Sequence, residues 1–291
     1  MGRKSLTKVG RERVNSWSNF KNNIAYLIVE ALLALRQRND LVKDEIGLNR
    51  LLYLCLLEVN YDFDLPLPAY DARNPPHIED KQKAKREDSR PDMYWSLMDH
   101  EANYQDWCRT FILECKRLGE KTSESWILTE EYVKDGIMRF FLDVKGYGKG
   151  CETGAMAGYV QDMDFDTILQ EVNYYLADKE QSIPVIPTPI NGWQHQGVSN
   201  LQHTFNRSYN PTWFSLQHFW IDMKDCSYLP SPLKDNILAE QEKPSSDNKS
   251  KKKRKKRNKS KKLLNSQEPK IISQMELPIN NAIDTNIDSV N

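Results

Sequence analysis

Four residues near the middle of the chain have the types and spacing for phosphodiester chemistry: Asp92, Glu114, Cys115 and Lys116. In a strand running Phe111-Ile112-Leu113-Glu114-Cys115-Lys116, alternate residues share a face. Phe111, Leu113 and Cys115 then point into a core, and Glu114 and Lys116 stand together on the opposite face, at the C-terminal end. Asp92 follows Pro91 at the start of the preceding strand candidate, so an antiparallel return brings its carboxylate close to Glu114. Magnesium binds oxygen ligands and keeps several waters, so one or two carboxylates suffice. Asp92 and Glu114 would supply them, and the main-chain carbonyl of Cys115 a third oxygen. Such an ion polarises a phosphate and lowers the pKa of a bound water. Lys116 would orient that water and offset charge building on the phosphorane.

The surrounding elements must hold these groups in place. Ile24, Leu27, Ile28, Ala31 and Leu35 recur at helical spacing and predict a helix over 20–37. A second helix is expected over 42–58, with Asp44 and Glu45 in its first turn, where the helix dipole favours acids. Residues 60–90 are proline-rich, then charged without apolar period, and read as a long loop with no regular element. Strands are expected over 92–98 and 107–115, joined by a hairpin-like return and closed by Gly119. A helix over 129–143 follows, with Thr129 as its N-cap. Gly146, Gly148 and Gly150 make a flexible turn, and residues 154–160 a short buried strand. Asp164 caps another helix. A proline-punctuated loop over 181–198 leads to a strand pair over 200–207 and 213–222, turning at Ser208-Tyr209-Asn210-Pro211. The strand near 107–116, the helix and the strand near 154–160 would form a βαβ unit.

Pro91-Asp92, followed after about twenty residues by Glu114-Cys115-Lys116 at the end of an apolar strand, resembles the signature of the PD-(D/E)XK nuclease superfamily, which includes restriction endonucleases and Holliday-junction resolvases. The resemblance implies an α/β, restriction-endonuclease-like core: a mixed central sheet flanked by helices in the order αβββαβ, here with an added N-terminal helix and C-terminal strands. It also implies Mg2+-dependent hydrolysis of nucleic-acid phosphodiesters, with Mn2+ as a substitute. By the same resemblance Asp92 and Glu114 are metal ligands and Lys116 is the catalytic lysine. DNA is the expected partner and endonucleolytic cleavage the expected reaction. Restriction or phage defence is the biological setting the resemblance suggests, with a homodimer or other defence-system subunits as further partners. Many members carry another acid on the helix before the first strand. Glu45 is the leading candidate, and Glu30 and Glu58 compete with it. Against all this stands a plainer reading: a strand ending in E-x-K whose Glu–Lys pair faces solvent means little. The fold would then serve a non-catalytic nucleic-acid-binding or interaction protein.

Charge divides the chain. Its 41 basic residues balance 41 acidic ones, but 11 of the basic ones lie within 249–262, so the remainder carries −11. Lys251, Lys252, Lys253, Arg254, Lys255, Lys256 and Arg257 form either an electrostatic arm for nucleic acid or a solvated tail without a role in cleavage. The expected organisation is a flexible N-terminus over 1–17, a nuclease-like domain over 18–230, and a disordered tail over 231–291. The five cysteines form no C-x-x-C and read as reduced thiols of a cytoplasmic protein. The longest apolar stretch, 24–35, is interrupted by Glu30 and is too short to span a bilayer.

Three weaker signals remain. Arg139 would contact a phosphate or pair with Asp135 or Asp143 one turn away. His203, Arg207 and His218 lie near the last two strands and read as structural or substrate-facing. Lys149 in Gly146-Tyr147-Gly148-Lys149-Gly150 is not followed by Ser or Thr, so this stretch is a hinge and no Walker A loop.

Overall fold

A computed structural model describes residues 17–63, 65–77, 83–98 and 108–229. The chain divides into two units, Met1–Glu240 and Gln241–Asn291, and every described residue lies in the first. The basic run and the predicted tail lie outside the described residues, as do the first sixteen.

Two helices open the fold, α1 (Trp17–Arg36) and α2 (Glu45–Phe63). Asp44 stands just before α2 and accepts the amide of Gly47 at 2.8 Å, satisfying one of the donors a helix start leaves open. Next come β1 (Ala69–Tyr70), β2 (Met93–Met98) and β3 (Cys108–Leu118). Residues 60–90 are therefore not wholly irregular. α2 continues to Phe63, a 3-10 turn covers Lys85–Asp88, and β1 pairs Ala69 with Tyr94 and Tyr70 with Met93. The prolines flank β1 without occupying it, so both ladder residues keep their amides.

The helical segment after β3 consists of α3 (Leu128–Tyr132), a π turn over Val133–Ile137, and α4 (Met138–Phe141). Thr129 is not its N-cap. Ile127 occupies that position, and Thr129 is buried inside the helix with its hydroxyl donating to Glu171 at 2.8 Å. Then follow β4 (Thr153–Val160), α5 (Phe165–Lys179), β5 (Val198–Asn206) and β6 (Trp213–Asp222). Asp164 does cap α5, accepting the Thr167 amide at 2.8 Å.

The six strands form one mixed sheet in the order β1-β2-β3-β4-β6-β5. β2 and β3 are antiparallel, β3 and β4 parallel, β4 and β6 parallel, and β5 and β6 antiparallel. Both faces are covered. Phe111, Leu113 and Cys115 of β3 pack with Ala155, Ala157 and Tyr159 of β4 against α1 and α2. Ile112, Met156 and Trp220 pack on the other side, against α3, α4 and α5. β4 is buried along its whole length, which explains its unbroken run of small and apolar residues. Gly158 permits the closest approach there: a Cβ would lie 2.5 Å from Leu118 Cδ1 and 2.7 Å from Trp220 Cδ1.

The loop over 146–150 is pinned rather than a free hinge. Gly146, Gly148 and Gly150 all have positive φ. The buried Arg207 guanidinium donates to the carbonyls of Tyr147 (3.1 Å), Gly148 (2.8 Å), Cys151 (2.7 Å) and Pro211 (2.8 Å). It lies between the rings of Tyr209 and Phe214, 4.2 and 4.1 Å from their centroids. Cys55, Cys115 and Cys151 are buried free thiols, and Cys226 is a half-buried one. No helix among the described residues is long and apolar enough to cross a membrane.

Candidate active site

The register of β2 and β3 sets Met93 against Leu113. Continued by one residue, it places Asp92 opposite Glu114, at the end of β2 next to the C-terminal half of β3. Both oxygens of Asp92 are held. Oδ2 accepts the main-chain amide of Cys115 at 2.7 Å, and Oδ1 accepts the side-chain amide of Asn49, on α2, at 2.9 Å. Asn49 is itself fixed, because its Oδ1 accepts the hydroxyl of Tyr159 from β4 at 3.0 Å. Three elements thus set the orientation of one carboxylate. Burial raises the Asp92 pKa above the ordinary carboxyl range, while Lys116 and the Cys115 amide oppose that rise.

Glu114 and Lys116 share the face of β3 that carries Ile112, as strand alternation requires. They do not lie on an open surface. Glu114 is 1% exposed and Lys116 8%, because the helical segment of α3 and α4 crosses above them. Gly136, in the π turn, allows the crossing: a Cβ there would lie 2.3 Å from Met156 Cε and 3.6 Å from Lys116 Cγ. Glu114 Oε1 lies 3.1 Å from Lys116 Nζ and 3.0 Å from Arg139 Nη1. Burial and the neighbouring Asp92 charge push the Glu114 carboxyl up to about 8, against the pull of Lys116 and Arg139. Burial alone would disfavour the Lys116 ammonium, but Glu114, Asp92 and Glu45 outweigh it and hold the amine protonated far into alkaline pH.

Glu45 opens α2 and reaches the same lysine, its Oε1 2.8 Å from Nζ. The Cys115 carbonyl accepts from Nζ at 3.0 Å. The predicted Asp92, Glu114, Cys115, Lys116 and Glu45 are therefore gathered in one place. The rival acids are not. Glu30 is exposed and lines a shallow groove between α1 and α2 together with Glu58 and Asp62. That explains how an acid can interrupt the apolar run of α1 without a buried charge.

Arg139 pairs with Asp135 as expected, but more closely with an acid that sequence spacing did not suggest. Its nearest acid is Glu114, with Asp135 at the outer limit of an ion pair at 4.0 Å, and its Nη1 also donates to the Tyr147 hydroxyl at 3.0 Å. His203 and His218 are buried. His203 Nε2 meets the Pro184 carbonyl at 2.6 Å, and His218 Nδ1 meets the Tyr132 hydroxyl at 2.8 Å, which in turn accepts from Trp220 Nε1 at 2.9 Å. These contacts make both histidines structural.

Sequence reasoning missed Asn49, Tyr159 and the Arg139–Glu114 pair. The only sequence signal for the first was a polar residue on the apolar face of α2, between Leu48 and the Leu51-Leu52 pair.

The residues present fit a small divalent cation. Glu114 Oε2 is buried with no hydrogen-bond partner among the described residues, a costly state for a carboxylate oxygen unless something else meets it. The donors are all hard oxygens, the type that suits magnesium or manganese. Among the described residues, no three or more His, Cys, Asp or Glu side chains form a ready-made metal cluster. A magnesium ion that keeps its waters does not require one. Comparisons with family models, with curated proteins and with solved structures find no match.

Proposed function

We propose that this chain is a metal-dependent nuclease of the PD-(D/E)XK superfamily, hydrolysing nucleic-acid phosphodiester bonds and acting on DNA as an endonuclease. The observation that carries the reading is the convergence at the end of β3: the Lys116 ammonium 3.1 Å from Glu114, with Asp92 fastened to the intervening Cys115 amide at 2.7 Å. The order of elements supports it. α2, β1, β2, β3, the helical segment of α3 and α4, and β4 follow one another as helix, three strands, helix, strand, with β2 antiparallel and β4 parallel to β3. That is the arrangement a restriction-endonuclease-like core calls for, with α1 added before it and β5 and β6 after it. A place in restriction or phage defence rests on the family resemblance alone.

Asp92, Glu114 and the Cys115 carbonyl would hold the ion, with Glu45 as a further ligand. A bound Mg2+ would supply polarisation of the scissile phosphate and a water of lowered pKa. The chain's own part is positional and electrostatic. Asn49 and the Cys115 amide orient Asp92, and Arg139 anchors Glu114. Lys116 carries the positive charge that would offset the anionic phosphorane. The cover of α3 and α4 keeps bulk water from Glu114 and so strengthens each of these interactions.

A cleavage panel over supercoiled plasmid, linear duplex, single strands, junctions and RNA tests the proposal, with Mg2+, Mn2+ or EDTA. Cleavage of DNA with either ion and none with EDTA is expected. Salt-sensitive binding without cleavage anywhere in the panel would favour the non-catalytic reading instead.

A further inference from the structure

A buried ammonium needs an acceptor for each of its three N–H groups. Lys116 Nζ has three: Glu45 Oε1 at 2.8 Å, the Cys115 carbonyl at 3.0 Å and Glu114 Oε1 at 3.1 Å. They come from two elements: the first turn of α2, and β3, which supplies both a main-chain carbonyl and a side chain. Two of the three are carboxyl side chains, and Glu114 is almost wholly removed from solvent. Whenever both are ionised, these two groups would repel each other in a medium that screens poorly unless a cation lies between them. Each of the three residues is also one that the proposed function assigns to a divalent ion.

From this coincidence we propose that the Lys116 ammonium is the resident cation of the site, holding Glu45, Glu114 and the Cys115 carbonyl together until a divalent ion displaces it. The inference rests on the metal-dependent reading given above. Magnesium ligands stand at about 2.0–2.1 Å. An ion that close to the same oxygens would lie within a few ångströms of the ammonium, and two cations at that separation repel strongly. The amine must therefore leave as the ion arrives. Two oxygens are poised to receive the ion while the amine still holds the others. Among the described residues, Glu114 Oε2 has no hydrogen-bond partner and Glu45 Oε2 has a long contact to the Arg117 amide at 3.4 Å. The displaced amine is then released toward the substrate side, where its charge is needed. The lysine would thus be withheld until the ion is present.

The consequence runs against intuition: removing the catalytic lysine should tighten metal binding. Isothermal titration of Mg2+ and Mn2+ into the full chain, Lys116→Met and Lys116→Gln tests it. At least tenfold tighter divalent binding is expected in both variants, together with loss of cleavage. Arg139→Gln is the control for net charge, since it removes a cation from the same Glu114 oxygen without emptying the oxygen cage. It should gain markedly less affinity, and equal gains in all three variants would reduce the effect to charge and overturn the inference. A second readout needs no variant. In the wild-type chain the 1H–15N signal of the Lys116 ammonium, protected by three acceptors, should shift or vanish as Mg2+ saturates the site. A signal that stays unchanged at saturation would overturn the inference even if the lysine variants fail to fold. Tight divalent binding that is indifferent to Lys116 removes this inference and leaves the metal-dependent reading standing. Absence of divalent binding in every protein removes both.

Discussion

The carboxylate of Asp92 accepts the main-chain amide of Cys115 at 2.7 Å, tying the start of β2 to the β3 segment that carries Glu114 and Lys116. This bond makes the position of the acid a property of the sheet ladder. It does not depend on the Cys115 side chain, because the donor is the main-chain N–H, which only proline lacks.

The second tether of Asp92 is a side chain and is open to mutation. Asn49→Ala should lower divalent affinity and cleavage by about 10- to 100-fold, the usual cost of losing a group that orients a metal ligand. Tyr159→Phe should show a smaller loss of the same kind, since it frees the Asn49 amide to turn. Circular dichroism should report native folding in both, and titration calorimetry should report the weakened ion. Wild-type affinity in Asn49→Ala would show that the Cys115 amide alone suffices.

Arg207 should matter for stability and not for chemistry. It is buried with five carbonyl partners and, among the described residues, no carboxylate, and burial lowers its pKa from the ordinary arginine value. Arg207→Lys cannot reproduce the planar fork and should cost about 3 kcal/mol or more, as expected when buried hydrogen bonds to a charged group are broken. Urea unfolding measures this, and a change under about 1 kcal/mol would contradict the account.

Acid sensitivity should come partly from His203. Burial depresses its pKa from 6.5 to about 4. Between those values the unfolded chain takes up a proton that the folded chain refuses. The contribution is therefore fully present above pH 6.5 and is lost as pH falls toward 4, on the order of 3 kcal/mol in all. His203→Gln should flatten the fall in unfolding free energy between pH 7 and pH 4. An identical pH profile in the variant would place the acid sensitivity elsewhere.

Much of this site was legible because strand alternation is a strict rule. Once Phe111, Leu113 and Cys115 are taken as core, Glu114 and Lys116 must share the other face, and they do. Glu45 was legible for a similar reason, as an acid favoured in the first turn of a helix. What stayed hidden depended on how separate elements dock. Asn49 and Asp92 lie 43 residues apart, and nothing local links them. Arg139 had acids one helical turn away on either side, and sequence spacing favoured those over Glu114, which lies across the packed interface between helix and sheet. The rival reading of a solvent-facing Glu–Lys pair missed the cover provided by the helical segment, because Gly136 permits that approach only through its position opposite Met156. β1 escaped notice because two residues between prolines carry no periodicity, and only the neighbouring β2 makes them a strand.

The proposed nuclease activity requires Asp92 and its neighbours to cut a phosphodiester with the help of a divalent ion. The most direct measurement is nicking of supercoiled plasmid in Mg2+ by the wild-type chain and by Asp92→Asn, which keeps the shape of the side chain and removes its charge. Nicking by the wild type that EDTA abolishes is expected, with at least a 100-fold slower rate in a natively folded Asp92→Asn, the scale of losing one transition-state electrostatic group. Nicking by Asp92→Asn at the wild-type rate, or nicking by the wild type that persists in EDTA, would contradict the proposal.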